Sequence, residues 1–107
     1  MVVPNQITRR TRGHGDLLDL TDEVNQQVGR SGVRTGVAHL CVIGSTAALG
    51  TIEFEPGLAR DLPTLLDRLI PPSTSYGHEQ AWHDGNGQHL HIPSRASPRS
   101  LPFRRKP

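Results

Sequence analysis

Four of the chain's six histidines fall within the sixteen residues YGHEQAWHDGNGQHLH, positions 76–91, beside Asp84, Asn86, Tyr76 and Trp82. Neutral imidazole binds metal and charged imidazole binds phosphate, so this density of His with Asp and Asn suits either ligand. His89 and His91 form an H-x-H pair. On a strand both rings take one face, about 7 Å apart by strand rise, close enough to share an ion or a phosphate. His78 and Asp84 are the obvious further ligands, both from loop. The spacing matches neither a thiol-pair zinc site nor H-E-x-x-H. An exposed polar loop accounts for the same composition, so site and loop both stand at this point. Tyr76 and Trp82 could stack on an aromatic substrate ring or simply cap a core.

Two further clusters carry chemistry. In GSTAA (44–48), the Ser45 and Thr46 hydroxyls and the neighbouring N–H groups could hold an anion, although Gly-Ser-Thr is also ordinary turn chemistry. In TIEFEPG (51–57), Glu53 and Glu55 fall on one face of a strand, an arrangement that can hold Mg²⁺ with a substrate phosphate, or a solvated strand end. His39, inside an apolar run, reads as a satisfied core or interface histidine. The single cysteine, Cys41, excludes an intramolecular disulfide and any multi-cysteine zinc site, and reads as a small core residue.

These groups must be positioned by a short set of elements. DLTDEVNQQVGRSG is the clearest helix: Thr21 is the expected N-cap, Asp22 and Glu23 suit the positive end of the dipole, and Gly29 and Gly32 stop it. Leu20, Val24 and Val28 make its apolar stripe. The spacing predicts an edge strand around Val3–Thr11, a strand over Val37–Ile43 covered on both faces, and a second over Ala47–Phe54. LARDLPTLLDRLIPP reads as a second helix with Leu58, Leu62, Leu65, Leu66 and Leu69 on its stripe, kinked or begun at Pro63. Two helices segregated from several strands give an α+β class. Residues 1–92 read as one domain, and 93–107, rich in Pro and Arg, as an irregular tail.

At 107 residues, with 34% hydrophobic and 4% aromatic residues, 11 Gly and 9 Pro, the chain is poor in core material, which points to either a disordered portion or help from subunit association. The formal charge is only +2. Neither RRTR (9–12) nor the terminal FRRKP interleaves aromatics with its basic residues, which argues against a nucleic-acid partner. No segment reaches the roughly 20 apolar residues of a membrane span, and MVVPNQITRR lacks a signal core, so a cytoplasmic location is expected.

Taken together, LTDEV, SGVRTGVAHLCVIGSTAALGTIEFEPGLARDLPTLLDRLIPP and Y-x-H…W-x-DGNG resemble the YjbQ family, also called the secondary thiamine-phosphate synthase family. The resemblance runs from about Thr11 to Asn86. Its specificity lies in the order G-S-T-A-A, I-E-x-E-P-G-L, D-L, Y-x-H and D-G-N. It implies an α+β fold of antiparallel sheets packed with two helices, assembled as a homotrimer. It also implies a role in thiamine biosynthesis: a transferase joining a pyrimidine diphosphate to a thiazole phosphate with release of pyrophosphate. Carried over by position, His78, Asp84 and Asn86 are the catalytic candidates, and Ser45, Thr46 and Glu53 the phosphate-binding ones. His78, His89 and His91 are the candidate ligands of a divalent cation, Mg²⁺ or Zn²⁺.

The chain departs from the family pattern at three places. Gly44-Ser45 stands where many members have His-Thr. Gln88 pushes His89 and His91 one residue late, which on a strand reverses the face they take. SRASPRSLPFRRKP replaces A-S-L-L-G-P-S and G-T-W-Q segments. The expectation is therefore a sheet lacking its C-terminal strands through a shift of reading frame near Gln88. Beside the enzyme reading stand a non-catalytic metal- or phosphate-binding oligomer and an inactive fragment.

Overall fold

The computed structural model describes residues 1–43, 47–72, 75–83 and 99–104. Among them the element order is α1 (Thr21–Arg30), β1 (Thr35–Leu40), α2 (Pro56–Leu69), α3 (Glu79–Trp82) and β2 (Arg99–Arg104), a mixed α/β set in which β1 and β2 pair as a two-stranded sheet. The chain divides into two compact units, Met1–His39 with Ser100–Pro107, and Leu40–Arg99.

In the first unit, α1 starts differently from the expected N-cap. Thr21 is its first helical residue, and Leu20 holds the cap position without a side-chain bond. The acceptor is Asp19, whose Oδ1 takes the Thr21 N–H at 2.9 Å and the Thr21 hydroxyl at 2.6 Å. A carboxylate one residue before the cap thus fixes the helix entry that a threonine hydroxyl was expected to fix. Asp22 and Glu23 at the start and Arg30 at the end complement the dipole. Gly29 stays inside the helix, and termination falls to Gly32, whose φ of +74° lies in the left-handed region open to glycine. Ser31 completes the exit: its hydroxyl donates to the Val28 carbonyl at 2.6 Å and accepts from the Val33 N–H at 3.1 Å.

Residues 1–12 form no strand, which corrects the expected Val3–Thr11 edge. A β-prone stretch becomes a strand only where a partner edge receives it. Here Arg9 instead reaches α1, its Nη1 lying 2.7 Å from Glu23 Oε1. Glu23 Oε2 is buried and has no hydrogen-bond partner. A half-exposed pair of this kind contributes about 0.2–1 kcal/mol.

β1 alternates: Thr35, Val37 and His39 are exposed, while Gly36, Ala38 and Leu40 are half-buried. The strand is therefore covered on one face, and not the two its continuous apolar run predicted. His39 and Cys41 are exposed, so Cys41 does not occupy the core expected for it, and of the two places expected for His39 the core is excluded. β2 lies within 93–107, the stretch read from sequence as an irregular tail. Its sequence RSLPFR places Leu101 and Phe103 at strand period, and Pro102 is tolerated because each strand of a two-stranded sheet is an edge.

In the second unit, Ala47–Phe54 is irregular instead of the predicted strand. The helix that follows has a defined start. Glu55, in extended conformation, caps α2 by accepting from the Gly57 N–H at 2.8 Å and from the Leu58 N–H. Pro56 occupies the first turn, where its missing N–H costs nothing. The helix runs through Pro63 to Leu69 without starting afresh there, and Thr64 donates back to the Arg60 carbonyl at 3.0 Å. Beyond it, the Tyr76 hydroxyl donates to the Pro71 carbonyl at 2.7 Å and closes the connection to α3.

No hydrophobic side chain among the described residues is fully buried. The apolar faces are half-covered, with Ile52, Phe54, Leu58, Leu65 and Leu69 all substantially exposed.

Candidate functional site

Of the residues picked out by sequence, Ser45, Thr46, Asp84, Asn86, His89 and His91 lie outside the described residues. Glu53 and His78 are described, and both belong to the unit Leu40–Arg99.

The two glutamates of TIEFEPG have separate jobs. The Glu55 carboxylate is committed to the first amides of α2, with both oxygens used. It therefore does not form the expected cation-binding pair with Glu53. The Glu55 N–H donates to the Glu53 carbonyl at 3.1 Å, a tight local turn that stands where an extended strand would have put both carboxylates on one face. Glu53 is exposed and remains the carboxylate of this segment able to meet a ligand. Gly57 belongs to the same construction. A Cβ there would lie 2.8 Å from Glu55 Oε1, so a larger residue would have to shift the capping carboxylate. The signal was present in the sequence, since Glu-Pro-Gly ahead of an apolar stripe is a helix start with Pro at its first position.

His78 is half-buried at the start of α3 with helical backbone angles. Its carbonyl accepts from the Ala81 N–H at 3.2 Å, and flanking bonds run from Glu79 N–H to the Tyr76 carbonyl at 3.0 Å and from Gln80 N–H to the Gly77 carbonyl at 3.2 Å. Three successive backbone bonds thus hold the peptide that carries this imidazole. Tyr76, read from sequence as a stacking platform or a core cap, has its hydroxyl engaged by Pro71 and works as a clip on that backbone. His83 ends α3 at φ 54° and ψ 31°, a left-handed conformation uncommon for a residue with a Cβ. Its N–H returns to the Glu79 carbonyl at 2.8 Å. Sequence reasoning did not find this turn; a short helix hidden in a His-rich run leaves no periodicity to read.

Two carboxylates elsewhere have acidities moved by hydrogen bonding. Asp16 is held below the usual aspartate value by the Arg12 N–H at 2.9 Å, then by the Arg12 guanidinium at 3.0 Å. Asp19 is lowered by the Thr21 hydroxyl, then by the Thr21 N–H. Both shifts belong to local structure in the first unit. Among the described residues no three His, Cys, Asp or Glu side chains gather as a metal-binding group.

These elements define a mixed α/β protein in which no helix among the described residues is long and apolar enough to cross a membrane. The family described as UPF0047 protein YjbQ-like matches residues 5–103, and the chain belongs to that family. A UPF0047 protein of Methanothermobacter thermautotrophicus is 31% identical over 77 residues, which cover 72% of this chain and 54% of the relative. The chain thus spans about half the length of the curated relative it matches. The family match continues past Asn86 and takes in β2 up to Phe103.

Proposed function

We propose that this protein binds a small phosphorylated molecule and carries out a thiamine-phosphate synthase type of transfer, joining a pyrimidine diphosphate to a thiazole phosphate and releasing pyrophosphate. The observation that supports this reading is membership of the YjbQ family over residues 5–103, a span that contains G-S-T-A-A, I-E-x-E-P-G-L and Y-x-H in order. As the new bond to the thiazole forms, the bond to the leaving diphosphate breaks and its electron pair goes to the pyrophosphate oxygen. Catalysis then consists of holding both substrates and stabilising charge on that oxygen; no covalent enzyme intermediate is required.

His78 donates to the leaving group through an imidazole N–H, with Asp84 and Asn86 orienting the reacting rings. Ser45 and Thr46 donate to phosphate oxygens, and Glu53 completes the polar lining. A divalent cation, Mg²⁺ or Zn²⁺, when bound would neutralise the departing pyrophosphate. Of the residues proposed to hold it, His78 alone lies among those described, and no step is routed through it. A cytoplasmic homotrimer is part of the same reading.

The test is incubation of the purified full chain with the two phosphorylated substrates. Pyrophosphate is followed by a coupled assay and the condensed product by mass spectrometry. The expected result is turnover that His78→Ala lowers by about 10²–10⁴-fold, the usual range for a positioned proton donor. No product from the unmodified chain, together with calorimetric binding of pyrophosphate, would move the conclusion to a non-catalytic phosphate-binding protein.

A further inference from the structure

Along α2 the leucines at 58, 62, 65 and 69 recur at spacings of four, three and four, which are the a and d positions of two heptads. With Leu66 beside it, a stripe of this period is an apolar face that another element must cover. Leu58, Leu65 and Leu69 are 39%, 51% and 68% exposed, and Leu62 is half-buried. Ile52, Leu58, Asp61, Leu62 and Leu65 line a groove of about 270 Å³ along this face.

The residues flanking the stripe say what fits it. With Leu62 at a, Asp61 and Arg68 take the two g positions, and both are exposed. Ala59 and Leu66 take the e positions, and both are half-buried. In an antiparallel helix pair g faces g and e faces e, whereas in a parallel pair g faces e. A second α2 laid antiparallel across a two-fold axis stacks Leu58 on Leu69 of the other copy and Leu62 on Leu65. In that same register Asp61 meets Arg68 of the other copy, Arg68 meets Asp61, and Ala59 meets Leu66. A parallel pair would set Asp61 against Leu66. The charge pattern is therefore self-complementary in one orientation only, as an isologous contact requires. Pro63 and Thr64 fall at b and c, off the seam.

We propose that this face of α2 is a contact between two copies of the chain, with the helices antiparallel about a two-fold axis and Asp61 and Arg68 paired across it. The contact is independent of the proposed reaction. It is also distinct from a three-fold assembly, because a two-fold joint cannot close a ring of three and would link two trimers into a hexamer. A 14-residue helix is about 21 Å long, and one helix pair buries less than the roughly 800 Å² per partner of a standard interface. The association is accordingly weak and reversible.

Sedimentation velocity of the full chain over a concentration series tests this, with wild type, Asp61→Arg, Arg68→Asp, the double reversal and Leu65→Arg. All three positions are exposed, and circular dichroism confirms that each variant keeps its helices. Each single reversal sets like charges together twice across the axis and should weaken association about tenfold, by loss of two surface pairs. The double reversal recreates both pairs and should restore the wild-type constant, while Leu65→Arg leaves the lower-order species. A wild type that stays monomeric, or a trimer, dimer or hexamer whose constant neither reversal changes, overturns the proposal. So does a double reversal no better than the singles.

Discussion

Glu55 and Gly57 act as one unit, and their coupling is measurable. Glu55→Ala removes the acceptor for two helix-start amides and should destabilise the chain by about 1 kcal/mol. Gly57→Ala gains helix propensity of up to about 1 kcal/mol, yet its Cβ would displace the capping carboxylate, so the two effects offset. In a Glu55→Ala background only the propensity gain remains. Denaturant midpoints of the four species should give near-neutrality for Gly57→Ala alone and a gain for the double over Glu55→Ala, with a coupling of about 1 kcal/mol. Additive effects would mean that the cap does not hold in solution. Asp16 and Asp19 make a pH prediction at the same scale. Both are lowered from the usual value of 3.8 in the folded chain. Their contribution is thus present above that value and is lost as pH falls through the folded values. Carboxyl NMR titrations should place both midpoints below 3.8, with amide exchange at the start of α1 quickening over the same interval. Midpoints at or above the usual value would remove Asp19 as the entry residue of α1.

The two long helices were legible as elements because a 3.6-residue apolar period and local end signals belong to the segment itself. The strands were legible only in part: the expected Val37–Ile43 overlaps β1 at Thr35–Leu40, but elsewhere a strand depends on what lies beside it. Ala47–Phe54 has strand composition but is irregular, whereas Arg99–Arg104, which carries Pro102, pairs with β1. The candidate site divides on similar lines. Glu53 and Glu55 were found by type, yet the cap that separates their roles follows from where α2 begins. His78 was found by its motif, and the backbone turn that carries it was not. Pro63 shows that sequence punctuation can be overridden, for α2 passes through it. An interior proline costs a helix roughly 3 kcal/mol, and its restriction of the unfolded chain returns about 0.4–1 kcal/mol. Pro63→Ala should therefore stabilise the protein by about 2 kcal/mol, read as a higher urea midpoint at unchanged slope. A lower midpoint would mean that Pro63 contributes to seating α2.

At the scale of the whole molecule, what distinguishes the described residues is how little of their apolar surface is covered. No hydrophobic side chain among the described residues is fully buried, and Leu65 and Leu69 keep more than half of their surface in solvent. Burial yields about 25 cal/mol for each Å² of apolar surface removed from water, so half-covered leucines leave much of their contribution unrealised. Covering the α2 face in a second copy recovers part of it, and folding is then linked to association by mass action. For a dimer, a tenfold rise in protein concentration adds about 0.7 kcal/mol per chain to folding, and 1 kcal/mol moves the melting temperature of a domain this small by roughly 4–8 °C. Calorimetric melting over a hundredfold concentration range should therefore show a midpoint that climbs by several degrees per decade. Leu65→Arg, which blocks the seam without touching the cap or the histidine-bearing turn, should melt lower and at a temperature independent of concentration. A wild-type midpoint that does not move with concentration would show that the chain holds its fold without covering this face.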